Sequence, residues 1–348
     1  MTPIQPKAIF QKAAEMGASD VHIAVGVPVT FRIADTLTPV SKGVVSEADV
    51  RKVIKTILGE ARMKEFEKLR EVDVSYTVTD TLRLRVNCHF ERGVPSLAAR
   101  LIPQNIPSLE QAGLVGQVEP FLSLNDGLIL FTGPAGVGKS TSMAAMINAI
   151  RTSRPANIIT LEDPVEFLFP RDGGGIVRQR QAGTDFDSFG EAMRRVLRQD
   201  PDVVMVGEMR DLETIGATLT LAETGHLVFG TLHTPNAMQT IDRIVDVFPP
   251  HQQAQVRSQL SLSLRAIIAQ RLIPAAEGGL IAIREILVNN AAVAHLIREN
   301  HTPEIKTVLQ TGAKDNMTTF EADAKRLHKE KRITDETLDA VLTSLGRK

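Results

Sequence analysis

Nine consecutive residues constrain the fold of this chain more than any other stretch of its sequence. They are Gly133, Pro134, Ala135, Gly136, Val137, Gly138, Lys139, Ser140 and Thr141, which fit the pattern G-x-x-x-x-G-K-[ST] without a gap. The apolar run 128–131 before them is typical of a buried parallel strand, and apolar residues recur at helical spacing after them, at Met143, Met146, Ile147 and Ile150. The sequence therefore predicts a glycine-rich loop that joins a buried strand to a helix.

A loop of this kind, in this context, binds a phosphate group. Its glycines let backbone N–H groups turn inward around the phosphate, and the positive end of the following helix contributes about 0.3–1 kcal/mol per favourable contact. Lys139 is expected to reach the β- and γ-phosphates of ATP, and Ser140 to bind Mg²⁺. A glycine-rich turn that binds nothing is the alternative, which the flanking strand and helix disfavour.

The composition is that of an ordinary globular protein of about two domains, with 348 residues, 43% hydrophobic and 23% charged. The net charge of −1 indicates no general attraction to nucleic acid, although it does not exclude a local basic groove. The single cysteine, Cys88, excludes an internal disulfide and a multi-cysteine zinc site, and suits a reducing cytosol. No stretch approaches the ~18 apolar residues of a membrane span, and residues 1–10 lack the apolar core of a signal peptide. We therefore expect a cytoplasmic protein that reaches a membrane only through partners.

Residues 1–102 predict a mixed α and β domain. An amphipathic pattern ends at Gly17, and a second helix starts with Ser46 as its cap and an acid three residues later. The predicted elements are a helix at 7–16, strands at 21–24 and 29–33, a helix from Ser46 to Gly59, and a β-hairpin of strands 72–78 and 82–90 that turns at 79–80.

The second hairpin strand carries Arg83, Arg85, Asn87 and His89 on the face opposite its apolar residues. Arg100, beyond the turn at Gly93, extends this basic surface. A solvated sheet face is one interpretation, and a surface that faces a nucleotide held by a neighbour is the other. Cys88 falls on the apolar side, which predicts a small core residue rather than a nucleophile.

Proline and glycine interrupt every periodicity in residues 103–120, which predicts an interdomain linker. The second domain, 121–348, is predicted to have a core at about 121–288 and a helical part at about 289–348. Its predicted strands lie at 157–161, 203–206, 227–232 and 280–287. Its predicted helices lie at 189–198, 212–222 and 250–272, and a loop is predicted at 171–175. Alternating strands and helices predict a parallel sheet flanked by helices.

Acids follow two buried strands: the pair Glu162 and Asp163 comes directly after strand 157–161, and Glu208 comes after strand 203–206 with Gly207 between them. The carboxyl ends of parallel strands face the ligand, so acids there suit water activation and metal binding. Downstream of a phosphate loop, the strand that ends at Glu208 is a Walker B arrangement, which binds Mg²⁺ partly through water. Solvated turns that carry acids are the alternative.

His226 and His233 bracket strand 227–232. An isolated histidine is usually structural, but two histidines that flank a strand at the nucleotide-bearing edge are better interpreted as γ-phosphate sensors. Metal binding through them is disfavoured, because Mg²⁺ prefers oxygen ligands.

These stretches together resemble the secretion ATPases of type II secretion and type IV pili, and most of all the pilus retraction motors of the PilT family. The resemblance covers nearly the whole chain. The segments that carry it are 17–22, 83–87, 159–167, 200–215, 222–234, 241–243 and 246–249.

The resemblance implies a PAS-like N-terminal domain, a RecA-like ATPase domain with a helical C-terminal part, and a homohexamer with each nucleotide between the two domains and a neighbouring subunit. It assigns the catalytic base to Glu162, the Walker B acid to Glu208, the His box to His226 and His233, and contacts with the phosphates to Arg83, Arg85 and Arg100. An arginine finger accelerates such a reaction by about 10³–10⁵. The implied work is pulling pilin subunits into the inner membrane through a platform protein.

Three stretches depart from the family pattern. Ala135 and Val137 stand where the family usually has Thr and Ser, both at x positions of the loop, and Ala34-Asp35-Thr36 replaces an Asp-Gly turn. Ile283-Arg284-Glu285 stands where retraction motors usually carry Ala-His-Glu, which leaves an extension motor of the same superfamily as an alternative. Extension motors typically add a larger N-terminal region and a four-cysteine zinc site, which favours retraction here.

Three other classes are weighed against this interpretation. A RecA-type nucleic-acid translocase is disfavoured because one tyrosine and no tryptophan offer little stacking surface for bases. A guanine-nucleotide switch is disfavoured because its Asn-Lys-x-Asp motif is missing as a plausible loop. A non-catalytic scaffold is disfavoured by the intact phosphate loop with Glu162 and Glu208.

Overall fold

The structure is a computed structural model that describes residues 5–79, 82–102, 105–170 and 174–346. It divides into two compact units, Met1–Asn105 with Glu166–Leu168, and Ile106–Val165 with Phe169–Lys348. The predicted hairpin turn at Asp80, the start of the predicted linker at 103–104 and most of the predicted loop at 171–175 lie outside the described residues.

The first unit is a six-stranded antiparallel sheet with two helices on its apolar face. The order of the strands is β3-β2-β1-β6-β5-β4. Its elements are α1 (Pro6–Glu15), β1 (Ala18–Ala24), β2 (Thr30–Ile33), β3 (Thr36–Pro39), α2 (Glu47–Leu69), β4 (Glu71–Thr79), β5 (Leu82–Glu91) and β6 (Val94–Leu101).

Helix α2 begins where the sequence predicts, but it extends further. The Ser46 hydroxyl accepts a hydrogen bond from Asp49 N–H, and the Asp49 carboxylate accepts one from Ser46 N–H, which satisfies two backbone donors at the helix start. Gly59, with φ +68°, interrupts the helix at the predicted end. The helix then resumes to Leu69, because this second half buries Phe66 in the core of the unit. The sequence prediction missed this second half.

The second unit is built on a seven-stranded sheet of order β13-β12-β7-β11-β10-β8-β9. All neighbouring strands are parallel except β12 and β13, so the predicted parallel sheet is confirmed. Its strands are β7 (Gly127–Thr132), β8 (Asn157–Glu162), β9 (Ile176–Gln181), β10 (Val203–Val206), β11 (Leu227–Leu232), β12 (Leu264–Pro274) and β13 (Leu280–Val288).

The helices of this unit are α3 (Glu119–Leu122), α4 (Lys139–Ser153), α5 (Phe189–Val196), α6 (Leu212–Glu223), α7 (Ala237–Asp246), α8 (Pro250–Ser263), α9 (Ala291–Arg298), α10 (Ile305–Thr311), α11 (Phe320–Lys329) and α12 (Asp335–Ser344). The largest core packs α5 to α10 against the sheet. Among the described residues, no helix is both long and apolar enough to cross a membrane.

The predicted helix at 250–272 is wrong in its second half. Helix α8 ends at Ser263, and the chain continues directly as strand β12 between β7 and β13. A central strand is buried on both faces, so its continuous apolar run, 266–269, lacks the alternation that distinguishes a strand from a buried helix. Asn289 secures the junction, since its side-chain amide donates to the carbonyls of Ser261 and Leu264, each at 2.9 Å.

Cys88 lies on β5 and is fully buried in the core of the first unit, as the alternation predicts. Burial, together with the charge of Asp73, raises the pKa of its thiol to about 12. The reactive thiolate is therefore scarce at pH 8.

We expect iodoacetamide at pH 8 to leave Cys88 unmodified in the folded protein and to label it fully in guanidinium chloride, because both the burial and the raised pKa protect the thiol. Intact-mass spectrometry over time measures the labelling, with Cys88→Ala as the control that gains no mass. Rapid labelling of the folded protein would contradict the buried position.

Candidate active site

Four strands of the second unit end at one edge of the sheet. Strand pairing places Thr132 at the end of β7 beside Leu232 at the end of β11, and Leu161 of β8 beside Val206 at the end of β10. The residues at these strand ends and just beyond them therefore lie along the same edge. They are the phosphate loop, Glu162, Glu208 and His233.

The loop adopts the conformation that its glycines permit. Gly136 and Gly138 have φ of +78° and +86°, which side chains rarely adopt. Gly133 packs so closely on strand β12 that a Cβ there would lie 2.5 Å from the carbonyl oxygen of Gln270. Gly138 is the N-cap of α4 and brings no side chain, which leaves the first N–H groups of this helix available to an anion.

Two side chains brace the loop from within. Lys139 is only 8% exposed, and its ammonium donates to the carbonyls of Gly133 at 2.6 Å and Pro134 at 2.8 Å. Gln270, fully buried on β12, donates from Nε2 to the carbonyl of Val137 at 3.1 Å. The sequence analysis missed Gln270, although a polar residue inside an apolar strand is a signal that could have identified it.

Glu162 ends β8 as predicted and is 5% exposed. Its Oε1 accepts hydrogen bonds from the Thr160 hydroxyl at 2.6 Å and from the Gln179 amide at 3.1 Å. These donors fix the orientation of the carboxylate. Both were missed, and Gln179 comes from the neighbouring strand β9, which sequence periodicity cannot pair with β8.

Glu208 is held next to Glu162 by the backbone of residues 207–209. Gly207 N–H donates to Leu161 C=O at 2.7 Å, and Met209 N–H donates to Thr231 C=O at 3.1 Å. A Cβ at Gly207 would lie 3.3 Å from the Cα of Glu162, so this close approach favours glycine. The Glu208 carboxylate pairs with Arg210 and lies 3.0 Å from Nε2 of His233, which is thus part of the same cluster.

The hydroxyl of Ser140, in the first turn of α4, and the carboxylate of Glu208, just beyond β10, are hard oxygen donors of the kind that Mg²⁺ prefers. Within the described ranges, no group of three or more His, Cys, Asp or Glu side chains could hold a metal by itself. A Mg²⁺ ion that keeps waters and phosphate oxygens as its other ligands needs no such group, so these residues fit the ion.

His226 is not at this edge, and its predicted placement there is wrong. Strand pairing sets the start of β11 beside Gly127, the first residue of β7, so His226 lies at the edge opposite His233. Its Nδ1 lies 3.2 Å from the carbonyl of Leu221 and 3.3 Å from the Thr224 hydroxyl, which fixes the turn after α6. A strand of six residues separates its ends by about 20 Å, which the sequence interpretation overlooked.

The three predicted arginines lie on one face of the first unit's sheet. Arg85 and Arg100 are directly opposite each other on β5 and β6, and Arg83 lies two residues before Arg85 on β5. Burial alternates along β5, which confirms that Arg83 and Arg85 share the face opposite the core. Arg100 donates to the Asp20 carboxylate at 2.9 Å. Burial of Asp20 opposes ionisation of its carboxyl group, but hydrogen bonds from Ser19 and Arg100 outweigh this effect and lower the pKa of Asp20.

Arg284 and Glu285 point to opposite sides of β13, as neighbours in a strand do. The Glu285 carboxylate accepts a hydrogen bond from Ala237 N–H at the start of α7, and burial raises the pKa of this carboxyl group. Arg284 lies on the side of the phosphate-loop helix α4 and is almost completely buried.

Comparison with known proteins assigns this arrangement to a family. A model of the family described as "Type II/IV secretion system protein" matches residues 2–336. The Pseudomonas aeruginosa protein named "Type IV pilus retractation ATPase PilT" is 40% identical over 315 residues, which cover 90% of this chain and 91% of that protein. The Neisseria gonorrhoeae "Twitching motility protein" is 41% identical over 320 residues, which cover 92% of this chain and 85% of that protein.

A solved structure gives the same result at the level of the fold. The crystal structure of the pilus retraction motor PilT with bound ADP has a TM-score of 0.89 and 40% sequence identity, and the match covers 97% of each chain. The resemblance predicted from the motifs is thus confirmed. This chain belongs to the PilT family of the type II and type IV secretion ATPases.

Proposed function

We propose that this chain is the ATP-hydrolysing motor that powers type IV pilus retraction. The observation that carries the proposal is the meeting of an intact phosphate loop, Glu162 and Glu208 at one edge of the sheet in the second unit. The extent of its similarity to named retraction ATPases supports retraction as the work performed. The protein is an ATPase, and ATP is its substrate.

The loop and α4 bind the phosphates. Lys139 exchanges its two loop carbonyls for oxygens of the β- and γ-phosphates, and the N–H groups at the start of α4 face the same charge. Ser140 and Glu208 would hold a Mg²⁺ ion, partly through water, and the bound ion would supply positive charge to the phosphate oxygens.

Glu162 is the general base. Its carboxylate, oriented by Thr160 and Gln179, accepts a proton from the water whose oxygen attacks the γ-phosphorus. The bond between the γ-phosphorus and the bridging oxygen breaks, and ADP and inorganic phosphate are the products. His233, whose contact with Glu208 supports a place in the same site, is the candidate to sense the γ-phosphate.

The proposal extends to the assembly. The first unit is PAS-like and the second RecA-like, and six chains form a ring in which Arg83, Arg85 and Arg100 are the candidates to reach the phosphates across an interface. The ring acts on an inner-membrane platform protein and is held at the cytoplasmic face of that membrane through it. The extended basic face of the first unit supports this role for the arginines.

Replacing Lys139 tests the binding step. We expect Lys139→Ala to weaken nucleotide binding by about tenfold to 100-fold, because it removes charge-assisted hydrogen bonds to phosphate. Titration with a fluorescent ATP analogue measures the affinity, with Lys314→Ala as an exposed-lysine control. Unchanged affinity in the Lys139 variant would remove the loop from the binding site.

Replacing Glu162 tests the chemical step. We expect Glu162→Gln to bind ATP normally but to turn it over about 10²–10⁴ times more slowly, the contribution of a general base. The neighbouring exposed acid provides the matched control, Asp163→Asn, which should keep near-normal turnover. If Glu162→Gln hydrolyses ATP at the normal rate, the base is another residue, with Glu208 the next to replace.

The shared-site assembly is tested by ATP turnover against protein concentration, with mass measured by light scattering on the same samples. We expect specific activity to rise as a hexamer forms, because the arginines then reach a neighbour's nucleotide. A monomer with full activity would contradict the ring motor, and strong stimulation by DNA would favour a nucleic-acid translocase instead.

A further inference from the structure

Arg284 is a buried charge whose partners lie in three different parts of the second unit. Its side chain is 2% exposed. Nη1 donates to the carbonyl of Gly113 at 2.8 Å, Nη2 donates to the carbonyl of Ala112 at 2.5 Å, and Nη2 lies 3.5 Å from the hydroxyl of Ser142. One guanidinium therefore contacts both the segment 106–118, which leads from the first unit into the second along the chain, and the helix that starts at the phosphate loop.

Ser142 is the fourth residue of α4 and immediately follows the phosphate-loop motif. Its backbone N–H donates to Gly138 of the loop. A shift of this first helical turn when the loop closes on a phosphate would therefore act on Arg284 directly.

The segment on the other side of Arg284 is a series of tight turns. Ala112 N–H donates to Ser108 C=O, and Leu114 N–H donates to Leu109 C=O, at 2.9 and 2.8 Å. The Arg284 guanidinium donates to two consecutive carbonyls in these turns. The conformation of the turns therefore depends on where the guanidinium lies.

A second connection closes the network. The backbone N–H of Arg284 donates to Asp323 at 2.8 Å, and this carboxylate, 1% exposed on α11, also accepts hydrogen bonds from Gln117 and Arg326. The segment is thus held at two points, by Arg284 at 112–113 and by Asp323 at Gln117. Burial lowers the pKa of Arg284 to about 10, and the negative charge of Asp323 limits this decrease. The guanidinium therefore remains charged at neutral pH.

A cavity of about 680 Å³ adjoins these groups, and residues of the phosphate loop, Gln270 and Arg284 line it. Arg284 thus borders this space together with its three partners Ala112, Gly113 and Ser142, on the side of the loop where α4 begins. This position suits a residue that transmits occupancy rather than one that contacts the reacting atoms.

We propose that Arg284 is a positioning residue that couples the first turn of the phosphate-loop helix to the segment 106–118, so that nucleotide binding changes the order of this segment. The proposal rests on nucleotide binding at the phosphate loop, as described under the proposed function. The proposal also gives a role to Arg284 within the Ile283-Arg284-Glu285 triplet. Retraction motors usually carry His at this position, where this chain has Arg.

Hydrogen exchange of the full-length protein tests the coupling, with and without saturating ADP and Mg²⁺. In the wild-type protein we expect nucleotide to slow exchange in peptides covering 106–118 by at least about threefold. In Arg284→Met at saturating nucleotide, we expect exchange in 106–118 to be the same with and without nucleotide. Nucleotide should still slow exchange in the phosphate loop of this variant. Arg284→Lys, which keeps the charge and can reach one carbonyl, should recover part of the change.

Ser142→Ala provides a variant that removes only the contact with α4. It leaves Arg284 bonded to Ala112 and Gly113, so we expect an unchanged melting temperature and a nucleotide-dependent change reduced by about half. This variant decides the outcome if Arg284→Met does not fold.

The results separate the two proposals. If the wild-type protein binds no nucleotide, the proposed function fails. If it binds nucleotide and segment 106–118 does not respond, or if Arg284→Met and Ser142→Ala both keep the full response, the coupling through Arg284 is wrong while the ATPase assignment stands.

Discussion

The nucleotide site depends on a backbone contact that leaves no room for a side chain. Gly133 packs so closely on the backbone carbonyl of Gln270 that there is no room even for a methyl group between them. The Gln270 side chain in turn donates to the Val137 carbonyl at the far side of the loop. Strand β12 is therefore the surface on which the loop is shaped. Its place in the sheet, parallel to β7 on one side and paired with β13 on the other, determines where a phosphate can bind.

The sequence predicted those parts of the site whose geometry follows from local pattern. A strand that ends in an acid places that acid at the sheet edge, so Glu162 and Glu208 were found together with the loop. Gln270 and Arg284 were not found as site residues, since each contacts atoms more than 130 positions away in the chain. Periodicity reports which face of an element is apolar and contains no information about which strands become neighbours.

Two errors have the same physical origin. Residues 264–272 were assigned to a helix because a strand buried on both faces shows no alternation, and only its neighbours in the sheet identify it. His226 was assigned to the wrong edge because bracketing a strand was equated with sharing an edge. The direction of β11 separates the two histidines, and the His226 ring binds the end of α6 instead.

The basic face of the first unit shows how the fold retains groups that do not favour its own stability. Arg85 and Arg100 stand directly opposite on adjacent strands, where like charges repel. Asp20 offsets part of this repulsion through Arg100, whose side chain nevertheless stays 73% exposed. Local features that oppose stability in this way are expected at functional sites.

The contacts of Lys139 mean that binding a phosphate would exchange one set of hydrogen bonds for another. Its ammonium already donates to two loop carbonyls, so an incoming phosphate displaces partners instead of filling an unmet demand. The contribution of Lys139 to the proposed phosphate binding would then be a difference between two sets of charge-assisted hydrogen bonds. If the phosphate leaves as the proposed function requires, the same two carbonyls can accept the ammonium again, so the buried cation keeps hydrogen-bond partners in both states.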